Sequence, residues 1–355
     1  MPLFDLLKAL ASQLIVLHHL ALYGPVGDSL QRAVPALSAW LIDYARLAVQ
    51  VFLVIGGFFA AKSLAPQGTA AVGNPLAQIM KRYLRLAMPF AVAVGLAIVA
   101  AVLARLWLDD DMVPERPRFL QVLAHLVFLH GIVGADSLSA GVWYVAIDLQ
   151  LFALMVLLLW ASGRVGVAAA VPAVIGVVAA VSLYYFNLDA GWDNWAIYFF
   201  GAYALGALAF WLSARTRSVL WFLLVAAVVA GALYVDFRAR IAVAAVTAFL
   251  LWMSRRSGLI GKWPEFRPVA FLGGISYSVF LVHFPVLLVA NALGDRFFPE
   301  STGAGLIAGL LAWAASIAAG AVFHRYVESA PVPSPGQLWR VSSRLPARLF
   351  GVRRV

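Results

Sequence analysis

The chain has no cysteine. That excludes a disulfide framework and a thiolate metal site, and it leaves oxidising and reducing compartments both open. Charge is also scarce. Of 355 residues, 12% are charged and 64% hydrophobic, where soluble chains carry about a quarter and about a half. The deficit excludes a soluble globular enzyme and a disordered segment. Acid is the rarer sign, with 16 Asp and Glu against 26 Lys and Arg. At a mean hydropathy of +0.92, a net charge of +10 is read against a bilayer, and no nucleic-acid partner is expected. No internal repeat and no soluble domain stand out. The longest polar stretch is 331–355, basic and Pro-containing. It is expected to be a cytoplasmic tail on anionic lipid, leaving 1–330 as a membrane-embedded domain.

Long apolar runs are what the chain does have. A span needs roughly 20 mostly apolar residues to cross about 30 Å of hydrocarbon. Ten runs are marked: 4–23, 44–64, 84–104, 142–161, 165–186, 195–212, 219–235, 241–253, 269–293 and 305–323. Run 241–253 is short. The start of the chain lacks a basic region and a small-residue cleavage site, so 4–23 is expected to be a retained span rather than a signal peptide. The stretch 76–86 reads as an amphipathic lead-in to the third run.

Basic residues fall in alternate loops, and such loops face the cytoplasm. One set holds Lys62, Lys81, Arg82 and Arg85, then Arg164, then Arg215 and Arg217, then Arg255, Arg256, Lys262 and Arg267. The tail belongs to it, with Arg325, Arg340, Arg344, Arg348, Arg353 and Arg354. The other loops hold Asp109 to Asp111 and Glu115, then Asp189 and Asp193, then Asp295 and Glu300. Both termini are therefore expected in the cytoplasm. Parity then demotes the weaker segment 119–133 to a re-entrant or surface-lying helix. The fold expected is an all-α polytopic bundle of about ten transmembrane helices.

An ionisable group at membrane depth costs about 2.5 kcal/mol or more, which makes each one a functional-site hypothesis. In the first run, Lys8 and His19 are eleven residues apart. That is close to three turns, so they share a face about 16 Å apart along the axis. The alternative is a snorkelling Lys8 and an interfacial His19. In run 142–161, Trp143 to Asp148 puts a carboxylate about one and a half turns inside the outer interface, near the depth expected for His19. An Asp there can orient an imidazole, or pack helices by bonding a neighbouring hydroxyl. Arg82 and Arg85 share a face at i and i+3 and can fork onto one anion, or anchor the span. Ser276 and His283 are seven apart, about two turns, on one face. His125 and His130 are five apart and share no helix face well, so neither a metal nor a bound cofactor is expected.

These residues occur in an order that resembles the acyltransferase-3 family of bacterial inner-membrane proteins, which move acyl groups, typically acetyl, from cytoplasmic acyl-CoA onto extracytoplasmic glycans. Lys8 and His19 match the family's basic residue, ten residues, then His, with Lys where Arg is usual. Val51 to Phe58 is similar to its Phe-rich second span, with Gly56 where Ser is usual. Arg82-x-x-Arg85 before Pro89 matches its Arg-x-x-Arg motif. Trp143 to Asp148 is similar to its Trp-Ser-Leu-x-x-Glu signature, with Tyr144 for Ser and Asp148 for Glu. Gly274 to Ser278 through His283-Phe284-Pro285 is the most specific match, and Val327-Glu328 resembles the closing segment.

The resemblance implies an acyl-CoA donor docked on Arg82 and Arg85, with Lys8 helping to hold it. His19, oriented by Asp148, then acts on a carbohydrate acceptor as general base, or is itself transiently acylated. Ser276, Tyr277 and His283 are expected to line the upper cavity and meet the acceptor or the oxyanion. Alternatives are transfer of succinyl or another acyl group to a periplasmic glucan, and a ten-span transporter or flippase. Acyl identity, acceptor and oligomeric state are not readable.

Overall fold

The computed structural model describes residues 1–331 except 71, 168, 169, 216, 217 and 298–300. The expected basic tail, with Arg217 and Glu300 of the loops, lies outside the described residues. Among the described residues every regular element is helical. The α-helices are α1 (Pro2–Leu22), α2 (Gly24–Ala33), α3 (Pro35–Tyr44), α4 (Val49–Leu64), α5 (Pro75–Ala104), α6 (Phe119–Leu126) and α7 (Val142–Arg164). They continue with α8 (Val171–Tyr184), α9 (Ala196–Leu212), α10 (Ser218–Val235), α11 (Ala239–Arg256), α12 (Arg267–Gly274), α13 (Ser276–Phe297) and α14 (Thr302–Phe323). Proline opens six of them, where its missing N–H lacks an intrahelical partner anyway. Asn74 caps α5 by accepting from the Ala77 N–H at 3.1 Å.

Eight helical segments are long and apolar enough to cross a membrane, and the chain is a polytopic helical membrane bundle. The two remaining marked runs fall on α9, 17 residues long, and on α11, whose ends carry arginine. Helix α6 has only 8 residues, about 12 Å of rise. It cannot span, in keeping with its demotion. The lead-in 76–86 is continuous with the third span, and together they form the 30-residue α5.

Run 269–293 is not one span. Helix α12 ends at Gly274, Ile275 leaves helical geometry, and α13 begins at Ser276. Gly273 lies directly on the backbone of Asp5 in α1, so α12 is pinned across the start of α1 and cannot continue along the α13 axis. Helix α2 was not expected, because it is 10 residues long, below the length of a span, and α3 runs on into α4 as one helical segment, Pro35–Leu64, that starts before the marked run 44–64.

Every residue of α9 except Ile197 is buried. A helix that is apolar all round belongs in a core, and α4, α7, α8 and α11 enclose this one. The tightest seam is α4 against α9. Gly57 of α4 meets the Tyr203 backbone, and Gly206 of α9 meets the Val54 backbone, with no room for a Cβ at either position. Small residues facing one another let membrane helices approach to backbone contact. This seam fixes α4, and with it Gln50 at one end of the helix and Lys62 at the other.

Candidate active site

Two cavities enter the bundle from opposite ends. The first, about 590 Å³, lies at the C-terminal end of α1 and the N-terminal ends of α4, α7 and α11. His18 and His19 line it. His283, fully buried in α13, sets the chemistry of His19. His283 Nδ1 donates to the Phe280 carbonyl at 2.8 Å and approaches the Val279 carbonyl at 3.2 Å. Carbonyls only accept, so the proton is on Nδ1 and His283 Nε2 keeps a lone pair. That lone pair receives the His19 Nδ1–H across 2.9 Å. His19 Nε2 is left with its own lone pair and no hydrogen-bond partner among the described residues. Tyr23 stacks on the same ring at 5.5 Å, and His18 is held by the Leu41 carbonyl at 3.0 Å. The result is an oriented imidazole whose basic nitrogen has no partner among the described residues.

The second cavity, about 690 Å³, opens between the N-terminal ends of α1, α5 and α13 and the C-terminal end of α4. Lys8, Lys62, Arg82 and Arg85 line it, with Asp148 and Glu328. Arg82 Nη2 donates to Asp148 Oδ2 at 2.7 Å, and the guanidinium lies 5.3 Å from the Phe152 ring centre. Lys8 pairs with Asp5 at 3.0 Å. Arg85 has no ion pair among the described residues. Arg82 Nε and the Tyr277 hydroxyl are buried without a hydrogen-bond partner. Buried donors are nearly always satisfied, so these two mark where a ligand's acceptors would fit. Ser278 donates to Glu328 at 2.5 Å and His324 meets the same carboxylate at 3.0 Å. A five-residue π turn, His324–Glu328, carries Glu328 back to the cavity.

Phe280 alone among the described residues lines both cavities. Its ring is flanked by Phe52 at 6.4 Å and Tyr144 at 5.4 Å. Gly141, at φ +85°, faces it so closely that a Cβ would stand 2.9 Å from Phe280 Cζ. A left-handed backbone favours glycine, and here the missing side chain also makes room for the ring. The cavities are thus separated by one aromatic layer.

Three expectations need correction. Asp148 does not meet His19: its carboxylate takes Arg82. Helix α7 begins beside the ring that the two cavities share, with Val142 buried and Gly141 against Phe280. Trp143 therefore lines the His19 cavity while Tyr144 and Asp148 line the other. Arg82 and Arg85 do not both remain free for one anion, because Asp148 engages Arg82. Ser276 and Tyr277 lie in the arginine-lined cavity, not beside His19. Seven helical residues are about 10 Å of rise, so sharing a face with His283 does not mean sharing its depth. Lys8 and His19 likewise line different cavities.

Other lining residues belong to no sequence motif. Gln50 is a lone amide in an apolar run, a signal that intramembrane polarity should have raised. Arg46, Arg238 and Arg240 line the His19 cavity too, and no motif or spacing in the sequence marks them. Among the described residues no three His, Asp or Glu side chains are grouped to hold a metal ion. His125 and His130 do stack at 4.2 Å, because the chain turns back after α6 through Phe128 at φ 59°.

Against known proteins, residues 2–324 match the acyltransferase-3 family model, described as an acyltransferase domain. No curated protein and no solved structure matches the chain. The matched stretch contains both cavities' histidines and arginines together with the aromatic layer between them. The chain belongs to the acyltransferase-3 family of membrane acyltransferases.

Proposed function

We propose that the chain moves an acyl group, acetyl in the first instance, from acyl-CoA in the arginine-lined cavity to a glycan hydroxyl in the His19 cavity. The observation that carries this reading is the pair of cavities meeting at Phe280, one lined by four basic side chains and the other by an imidazole with a free lone pair. Coenzyme A is a polyanion, and Arg85, Lys62 and the unpartnered Arg82 Nε suit its phosphates. The basic end of the bundle then faces the cytoplasm with both termini, and the His19 end faces outward from an inner membrane.

In the transfer, His19 Nε2 takes the proton of the acceptor hydroxyl as that oxygen attacks the thioester carbonyl. The tetrahedral intermediate expels the CoA thiolate, which recovers the proton from the imidazolium. An ester and free CoA remain. His283 holds the imidazole in the tautomer this step needs, the orienting role that a third group plays for a general base. Trp143 and Tyr44 of the His19 cavity offer the flat apolar faces that sugar rings stack on, which supports a carbohydrate acceptor.

Inverted membrane vesicles supplied with radiolabelled acetyl-CoA test the reading. Label should reach a glycan, or thioester should hydrolyse, in wild type and not in His19→Ala at matched expression. Full turnover in that variant would overturn it. Solute flux without acyl chemistry would replace it with a transporter.

A further inference from the structure

The His19 cavity is lined by three arginines, Arg46, Arg238 and Arg240, against two carboxylates, Asp43 and Asp193. Both carboxylates and Arg46 are exposed, whereas Arg238 is 8% exposed and Arg240 is half-buried. Arg238 also pairs with Asp236 at 3.4 Å. Water screens the outer charges more than the inner ones, so Arg240 is the inner cation without a carboxylate partner among the described residues. Neither carboxylate forms an ion pair with a described residue.

The three guanidiniums are not equivalent. Arg238 is fully employed: it donates to Leu183 and Ala232 carbonyls and to Asn187 Oδ1 at 2.8–3.1 Å. It is a structural anchor. Arg240 spends one nitrogen on the Asn187 carbonyl at 2.9 Å and lies 4.7 Å from the Tyr198 ring centre. Its Nε is buried without a partner. Arg46 makes no hydrogen bond or ion pair among the described residues. Between them, Ala239 brings the first turn of α11 to the cavity wall, where helix N–H groups lack intrahelical partners and favour negative charge. An independent sign of a ligand comes from α4. Gln50 is 6% exposed, lines the same cavity, and has no hydrogen-bond partner among the described residues. Its amide therefore opens onto the cavity that His19 also lines, with donor and acceptor both unused by the protein.

We propose that the acceptor carries an anionic group, a carboxylate or a phosphate, seated between Arg46, Arg240 and the first turn of α11. Gln50 bonds the acceptor near the hydroxyl that His19 activates. This rests on reading the His19 cavity as the acceptor site. The anion has two possible sources, a uronate within the glycan or the phosphate of a lipid carrying it.

The test is equilibrium binding to the purified full-length protein in nanodiscs. The probes are a glucuronate-containing tetrasaccharide, the same tetrasaccharide with its carboxyls reduced, a short polyprenyl phosphate, and the matching polyprenol. At least one charged probe should bind about tenfold or more tighter than its neutral partner, the scale of one charge-assisted hydrogen bond. The preference should shrink with added salt. It should fall towards one in Arg46→Gln/Arg240→Gln and survive in part in Arg46→Lys/Arg240→Lys. A uronate preference assigns the anion to the glycan, and a phosphate preference assigns it to the lipid. Equal binding of charged and neutral probes by wild type, or no binding of either charged probe, overturns the proposal. So does a preference that persists in the folded double Gln variant. Turnover of acetyl-CoA in the same preparation reports separately on the function. A charge preference without turnover keeps the anion site and removes the acyl-transfer reading, and turnover without a charge preference does the reverse.

Discussion

Nδ1 of His19 and Nε2 of His283 lie 2.9 Å apart although 264 positions separate the two residues in the chain. The bond ties the end of α1 to the middle of α13 and fixes which His19 nitrogen can accept a proton. His19→Ala should therefore lose about 10²–10⁴-fold in acyl transfer, the usual contribution of a general base. His283→Ala should lose less, and in kcat rather than in KM for acyl-CoA. His283→Gln, whose amide oxygen can accept the same N–H, should recover part of the loss. Steady-state kinetics on the three variants checks this, and an unchanged kcat in His283→Ala would show that the bond is idle.

The Arg82–Asp148 pair makes a different prediction. Breaking a buried pair from one side strands a charge and costs about 3–5 kcal/mol. Arg82 keeps 31% of its side chain exposed and Asp148 10%, so the loss here should be smaller, about 2 kcal/mol. Asp148→Asn and Arg82→Gln should each lower the melting temperature. The double variant should melt higher than the sum of the single losses implies. Thermal unfolding in nanodiscs measures all four proteins, and strict additivity would show that the two groups do not interact.

Glycine substitutions separate packing from composition. Gly206→Ala forces a Cβ into the Val54 backbone, while a Cβ at Gly95 meets nothing within 4 Å. The first should destabilise by roughly 1–3 kcal/mol or more. The second should be neutral or stabilising by up to about 1 kcal/mol, since glycine weakens a helix interior. Equal melting temperatures for the two variants would contradict the α4–α9 seam.

Phe280 should control the coupling of donor and acceptor. Phe280→Ala joins the two cavities, so water should reach the thioester and acyl-CoA hydrolysis without acceptor should rise relative to transfer. Phe280→Trp enlarges the layer and should slow transfer while donor binding stays. The ratio of hydrolysis to transfer in vesicles is the measurement, and a ratio unchanged in Phe280→Ala would remove Phe280 from the path.

The membrane class, the helical fold and the family motifs were legible because each rests on local signals: run length, residue type and short spacing. His19, Arg82, Asp148 and His283 were all singled out from sequence, yet their partners were not. Partnership depends on depth, and depth is counted from where a helix begins in the membrane. The start of α7 against Phe280 carries Asp148 into the other cavity, away from His19, and the break at Ile275 makes Ser276 the first residue of a helix rather than a mid-span one. Helix α9 was legible as a run, but not as the one enclosed on all sides. Its burial comes from Gly57 and Gly206, whose meaning appears only when the two helices are side by side. Gln50, Arg46 and Arg240 come together from three separate segments, and no spacing in the chain announces that.

The single aromatic layer at Phe280 also has an electrical consequence. A transmembrane voltage falls mainly across whatever low-dielectric material separates the two aqueous sides, and each elementary charge crossing it is worth about 2.3 kcal/mol per 100 mV. In most membrane proteins that drop is spread over the bilayer's thickness. Here cavities reach inward from both ends and meet at Phe280, so in an energised membrane the field concentrates on that layer. The layer is therefore also the insulation of the membrane at this point, and a proton that moved through it would carry nearly the full driving force in one short step.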